Sequence, residues 1–223
     1  MNFQNSVFLR AAVLTTIIFA LGVWFGLWVG DEKVSQLQNT ISDLQENINE
    51  AELQFLFLDI TESNISCNYL ISTANRLGEE TTSMASEVDK YENAQKVDDA
   101  AFKALKKTYT ITLIRDWLTL EKIKQSCNGS YTIVLYFYSN KQCDKCQDQG
   151  IVLSYLKEKL GNEVLIFALD GDIDLGIIKA LRESYVIYEY PTVVVNGKAY
   201  HGYQDLANLT EIMCGFNQDL EIC

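Results

Sequence analysis

An α/β C-terminal domain, a central mixed sheet flanked by helices, is expected behind a transmembrane helix and an α-helical, coiled-coil-type region. Three observations carry that expectation. A charge-free run, AAVLTTIIFALGVWFGLWVG, fills positions 11–30. Val34, Leu37, Ile41, Leu44, Ile48, Ala51, Phe55 and Leu58 then recur at alternating steps of three and four. Beyond about position 130, short β-branched and aromatic runs alternate with helical spacing, the pattern of a sheet covered by helices.

The first run matches the roughly 20 apolar residues that span a bilayer. Trp24 and Trp28 near its far end suit the interfacial aromatic belt. A cleaved export signal has an apolar core of about 7–15 residues and a small-residue cleavage site, whereas this run is longer and ends in bulky side chains. Residues 1–30 are therefore expected to be an uncleaved signal anchor. Arg10 and the amino terminus flank one side and Asp31, Glu32 and Lys33 the other. The positive-inside rule then puts the N-terminus in the cytoplasm and the bulk of the chain outside.

Residues 31–127 read as helical. The heptad seam over 34–58 is expected to pack on later helices of the same chain as a bundle, the alternative being pairing with a second copy in a homodimer. Later helical patterns run from Asp59 to Leu77 and from Asp98 to Lys124, the latter with Phe102, Leu105, Tyr109, Leu113, Trp117 and Leu120 on one side. Gly78 to Val97, richer in Glu, Ser and Thr, is expected to hold a short helix and a loop. The polar residues of the whole region are expected to form a solvated face.

Residues 128–223 carry the chemistry. An apolar strand, Thr132 to Tyr138, leads through a polar loop to Cys143-Asp144-Lys145-Cys146 and then to helical spacing at Ile151, Leu153, Leu156 and Leu160. A dithiol at a strand-to-helix junction sits where unpaired N–H groups and the positive end of the helix dipole favour a thiolate. A second strand follows at Glu163 to Leu169, then an amphipathic segment with Ile173, Ile177, Ile178 and Leu181. The chain's single proline, Pro191, precedes the strand Thr192 to Val195. Asn196-Gly197 marks a hairpin turn into Lys198 to His201, and Tyr203 to Met213 closes the chain as a helix.

That order of elements, about Tyr131 to Cys214, resembles the thioredoxin superfamily. The resemblance implies thiol–disulfide exchange with Cys143 attacking and Cys146 resolving. It also implies a cis bond before Pro191, which faces the dithiol and keeps metals off it, and a role for the Tyr190 backbone in pairing with substrate main chain. Protein thiols and disulfides are the implied substrates, with no cofactor. The chain departs from the family in lacking a Trp before Cys143 and in having Asp144-Lys145 where Gly-Pro is frequent. The Gly202-Tyr203-Gln204-Asp205 segment resembles the glutaredoxin ending, with His201 where that family has its first glycine.

Six cysteines occur. Setting Cys143 and Cys146 aside leaves four, which permit three pairings. Cys67–Cys127 and Cys214–Cys223 are preferred: one ties two helices and the other tethers the tail. Even usage fits an oxidising compartment. Structural zinc wants four Cys or His ligands, and with one Cys-x-x-Cys and one histidine, His201, no metal is expected. A net charge of −12 argues against nucleic-acid binding and against docking on anionic lipid. Two function classes stay open. One is a membrane-anchored thiol–disulfide oxidoreductase on the extracytoplasmic side. The other is a membrane-anchored scaffold or partner-binding protein whose thioredoxin-like module holds a structural disulfide.

Overall fold

The computed structural model describes residues 13–24, 67–93, 100–127, 129–141 and 143–223. The chain divides into two compact units, Met1–Leu53 and Gln54–Cys223. In the first, residues 13–24 are helical and their apolar side chains, Phe19 and Trp24 among them, are exposed. Among the described residues no helix is long and apolar enough to cross a membrane. All of the heptad seam over 34–58, and the ends of the apolar run, lie outside the described residues.

The second unit starts with helices α1 (Cys67–Asn93) and α2 (Ala100–Cys127). Leu70, Leu77 and Met84 are buried along α1 at seven-residue steps, so one stripe faces its neighbour. A disulfide joins the first residue of α1 to the last of α2, with Cα atoms 5.8 Å apart. The two helices thus form an antiparallel hairpin. Contrary to the expected loop after Gly78, α1 continues unbroken to Asn93. Glycine costs about 1 kcal/mol in a helix interior, but burial of Met84 and Val88 beyond it outweighs that cost. The Thr82 hydroxyl also donates to the Gly78 carbonyl at 2.8 Å.

Nor is the polar set of this hairpin all solvated. Arg115 of α2 donates to Glu80 of α1 at 2.9 Å, with side chains only 7% and 15% exposed. Asp116 beside it is buried, and burial pushes its carboxyl up to about 6, against the pull of Arg115. The folded state therefore holds the Asp116 proton more tightly than the unfolded chain does. That contribution is complete below the free carboxyl value of 3.8 and lost as pH rises through about 6,. Asp116→Asn should flatten this part of the stability-versus-pH curve. It should also raise stability at pH 8 by on the order of 1–2 kcal/mol, as denaturant melts beside the parent at pH 4 and pH 8 would show.

The sheet has strand order β2-β1-β3-β4, from β1 (Thr132–Tyr138), β2 (Val164–Asp170), β3 (Thr192–Val195) and β4 (Lys198–His201). β1 pairs parallel with β2, Thr132 opposite Val164 through Tyr138 opposite Asp170. It pairs antiparallel with β3, Phe137 opposite Thr192, and β3 pairs antiparallel with β4. Asn196 and Gly197, both at positive φ, make the two-residue turn whose twist matches the strands. Between β1 and β2 lies α3 (Cys146–Leu160); α4 (Gly176–Ser184) precedes β3, and α5 (Leu206–Phe216) ends the fold.

β1 is buried on both faces, which explains its unbroken apolar run. Ile133, Leu135 and Phe137 pack with Leu113, Ile114 and Trp117 of α2 and Ile178 and Leu181 of α4. Val134 and Tyr136 pack on the opposite side with Leu153, Leu156 and Leu160 of α3 and Leu209 and Met213 of α5. Two helical layers therefore enclose the sheet, and α2 belongs to one of them. The buried face of α3 runs through Cys146, Gln149, Leu153, Leu156 and Leu160. Ile151, expected on that face, is 63% exposed, because it falls on the opposite side of the 3.6-residue repeat. In α4, Ile177 is likewise exposed while Ile178 and Leu181 are buried.

Candidate active site

The dithiol sits where the C-terminal end of β1 passes into α3. Cys146 is the first residue of α3 and is buried, whereas Cys143 is half-buried and Asp144 and Lys145 are exposed. The two cysteines form a disulfide with Cα atoms 5.5 Å apart. Cys143, Lys145, Tyr190, Pro191, Gly202 and Tyr203 border an open groove of about 510 Å³. The Tyr190–Pro191 peptide bond is cis. Three segments distant in sequence thus border one groove.

Charge around the dithiol is nearly balanced. Lys145 donates to Asp148 at 2.8 Å, and this bond leads the causes that raise its pKa. Its ammonium is also 5.8 Å from the centre of the Tyr203 ring. A lysine so engaged by a carboxylate adds less positive potential at Cys143 than a free one, leaving the helix N-terminus as the main source of thiolate stabilisation. Among the described residues no three His, Cys, Asp or Glu side chains converge as a metal site. His201 instead meets Thr192 through Nδ1 at 3.2 Å, and its ring packs against Tyr188 with centroids 4.3 Å apart and planes tilted by 31°.

Several contacts that support the site join residues whose pairing the sequence does not show. The Tyr136 hydroxyl donates to the Cys146 carbonyl at 2.6 Å and anchors the start of α3 to β1. Burial raises the pKa of that phenol, so it stays a donor. Gln149, fully buried, accepts from the Gln204 backbone N–H at 2.8 Å. Gln204 donates in turn to the carbonyls of His201 at 3.0 Å and Gly202 at 3.3 Å. These bonds hold the groove's 202–204 wall against α3. Asp205 caps α5, accepting from the Asn208 N–H at 2.8 Å, so its carboxylate is engaged within the fold. Gly171 lies under the Tyr190 ring, where any Cβ would overlap it.

The polar loop ahead of Cys143 is also tied down. Asp172 accepts from the Ser139 hydroxyl at 2.9 Å and the Asn140 backbone N–H at 3.0 Å. The Asn140 side chain donates to Asp170 at 2.9 Å, and Ser139 accepts from the Lys141 N–H at 3.1 Å. The acidic turn after β2 thus holds the loop that precedes Cys143. At the other end of the chain, Cys214 is bonded to Cys223, with Cα atoms 5.6 Å apart.

A parallel strand pair crossed by a helix, an antiparallel hairpin led by a cis proline, and a dithiol at the crossover helix's start together make a thioredoxin-like fold. No protein-family model matches the chain, and no curated protein sequence does. Among solved structures, one described as that of a malarial protein is 19% identical, covering 38% of this chain and 96% of its own, with a TM-score of 0.33. Chloroplastic thioredoxin z is 19% identical over 43% of this chain and 87% of its own, TM-score 0.35. The germline-specific thioredoxin Deadhead of Drosophila melanogaster is 21% identical over 46% and 92%, TM-score 0.35.

Proposed function

We propose that the chain is a membrane-anchored thiol–disulfide oxidoreductase that acts on protein thiols and disulfides on the extracytoplasmic side. The observation that carries this reading is the Cys143–Cys146 pair at the start of α3, whose Cys143 borders a groove shared with Pro191. In the reduced enzyme the Cys143 thiolate attacks one sulfur of a client disulfide. A Cys143–client bond forms and the other client sulfur leaves as a thiolate. The Cys146 thiolate then attacks the Cys143 sulfur, closes the internal disulfide and expels the second client sulfur. Two electrons pass from enzyme to client, and the reverse sequence oxidises a client dithiol. The Tyr190 backbone, beside Pro191, pairs with extended client main chain.

Residues 1–30 hold this domain at the bilayer with the N-terminus in the cytoplasm. Support comes from the helical, apolar residues 13–24, since a helix apolar all round needs burial in protein or lipid. The disulfides outside the active pair suit an oxidising compartment. Residues 34–58 supply a seam for pairing with a second copy.

The deciding experiment is the reduction potential of the Cys143–Cys146 couple in glutathione buffers. A two-electron couple between about −120 and −270 mV is expected of a working oxidoreductase. A bond that resists reduction below about −300 mV would be structural, and the scaffold reading would replace this one.

A further inference from the structure

Asp170, which bonds to the loop ahead of Cys143 through Asn140, also has a partner on the helical hairpin. Lys106 of α2 reaches Asp170 with its ammonium 2.8 Å from Oδ2, the side chains being 14% and 6% exposed. The same Oδ2 accepts from the Asn140 side chain at 2.9 Å, and the other oxygen of Asp170 accepts from the Asp172 N–H at 2.8 Å. Asp172 in turn holds Ser139 and Asn140. A short chain of charge-assisted bonds therefore runs from the helical hairpin to the loop that delivers Cys143. Lys103, Lys107, Lys141 and Asp174 border the same recess, so the pair sits in a mixed-charge surround.

We propose that Lys106 is a positioning residue for the dithiol, through which the helical hairpin sets the reactivity of Cys143. The inference rests on the oxidoreductase reading and gives the hairpin a part in that chemistry. Lys106 neutralises Asp170 and holds its carboxylate where Asn140 and Asp172 can bond to it. Without the ammonium, an uncompensated buried carboxylate remains beside the redox loop, and the loop loses a fixed anchor. Both changes disfavour the Cys143 thiolate. A less stabilised thiolate makes the reduced form less stable and the couple more reducing.

The test uses the full chain in mild detergent and compares the parent with Lys106→Met and Lys106→Arg. The readouts are the glutathione equilibrium of the couple and the pH profile of Cys143 alkylation. Lys106→Met should move the equilibrium three- to tenfold toward the disulfide, tenfold being about 30 mV for two electrons. The midpoint of its alkylation profile should move to higher pH, and Lys106→Arg should restore both. A folded Lys106→Met with parental equilibrium and profile would overturn the proposal, as would equal displacement by Met and Arg. If Lys106→Met does not fold, Lys106→Met/Asp170→Asn removes both charges and leaves none unpaired. It should still be displaced at least twofold, and parental values in it would overturn the proposal. A parental couple that glutathione cannot reduce would instead sink the oxidoreductase reading itself.

Discussion

Cys146→Ser is expected to turn the protein into a trap that accumulates mixed disulfides with client polypeptides through Cys143. Cys143→Ser should abolish exchange by about 10³-fold or more, the scale on which a lost nucleophile is felt. The asymmetry follows from placement. Cys143 is half-buried at the edge of the groove, so a client sulfur can reach it. Cys146 is only 8% exposed, so on the proposed reading it is expected to serve the internal step that releases the client. Serine is close to isosteric with cysteine. The bond that anchors the start of α3 runs from Tyr136 to the Cys146 backbone carbonyl, which the substitution leaves in place. Non-reducing electrophoresis of the full chain expressed with each variant gives the answer. Adducts with Cys146→Ser that vanish on reduction, and none with Cys143→Ser, are the expected pattern. Absence of adducts from both variants would count against catalysis.

Removing the Cys67–Cys127 bond has the largest expected effect on stability. Its partners are 60 residues apart in sequence, and in the chain-entropy account closing a loop of that length is worth about 4 kcal/mol. Cys67→Ala/Cys127→Ala should lose about that much in urea melts, whereas Cys214→Ala/Cys223→Ala, with a separation of nine, should lose only about 2.6 kcal/mol. The loss should fall first on α1, because α2 keeps its contacts with the sheet through Leu113, Ile114 and Trp117. Hydrogen exchange would then show α1 amides opening before those of α2 and β1. Equal costs for the two double variants would contradict this account.

Only local and periodic features are legible in the order of residues. The alternation of apolar strands and helices, the Asn196-Gly197 turn and the single proline ahead of β3 each follow from short-range steric rules. So does the placement of Cys143 and Cys146 at a helix start. Helix boundaries were less well specified: a lone Gly78 reads as a break until Met84 and Val88 beyond it are seen to be buried. Ile151 reads as core until the register of α3 on the sheet is known. The tertiary structure alone decided which polar side chains are buried and with whom. Arg115 meets Glu80, Gln149 meets the Gln204 backbone, and Lys106 meets Asp170, all across separations that no periodicity encodes. The physical reason is that a buried charge or amide is tolerated only with a specific partner at hydrogen-bond distance, and packing, not local chain order, brings those partners together.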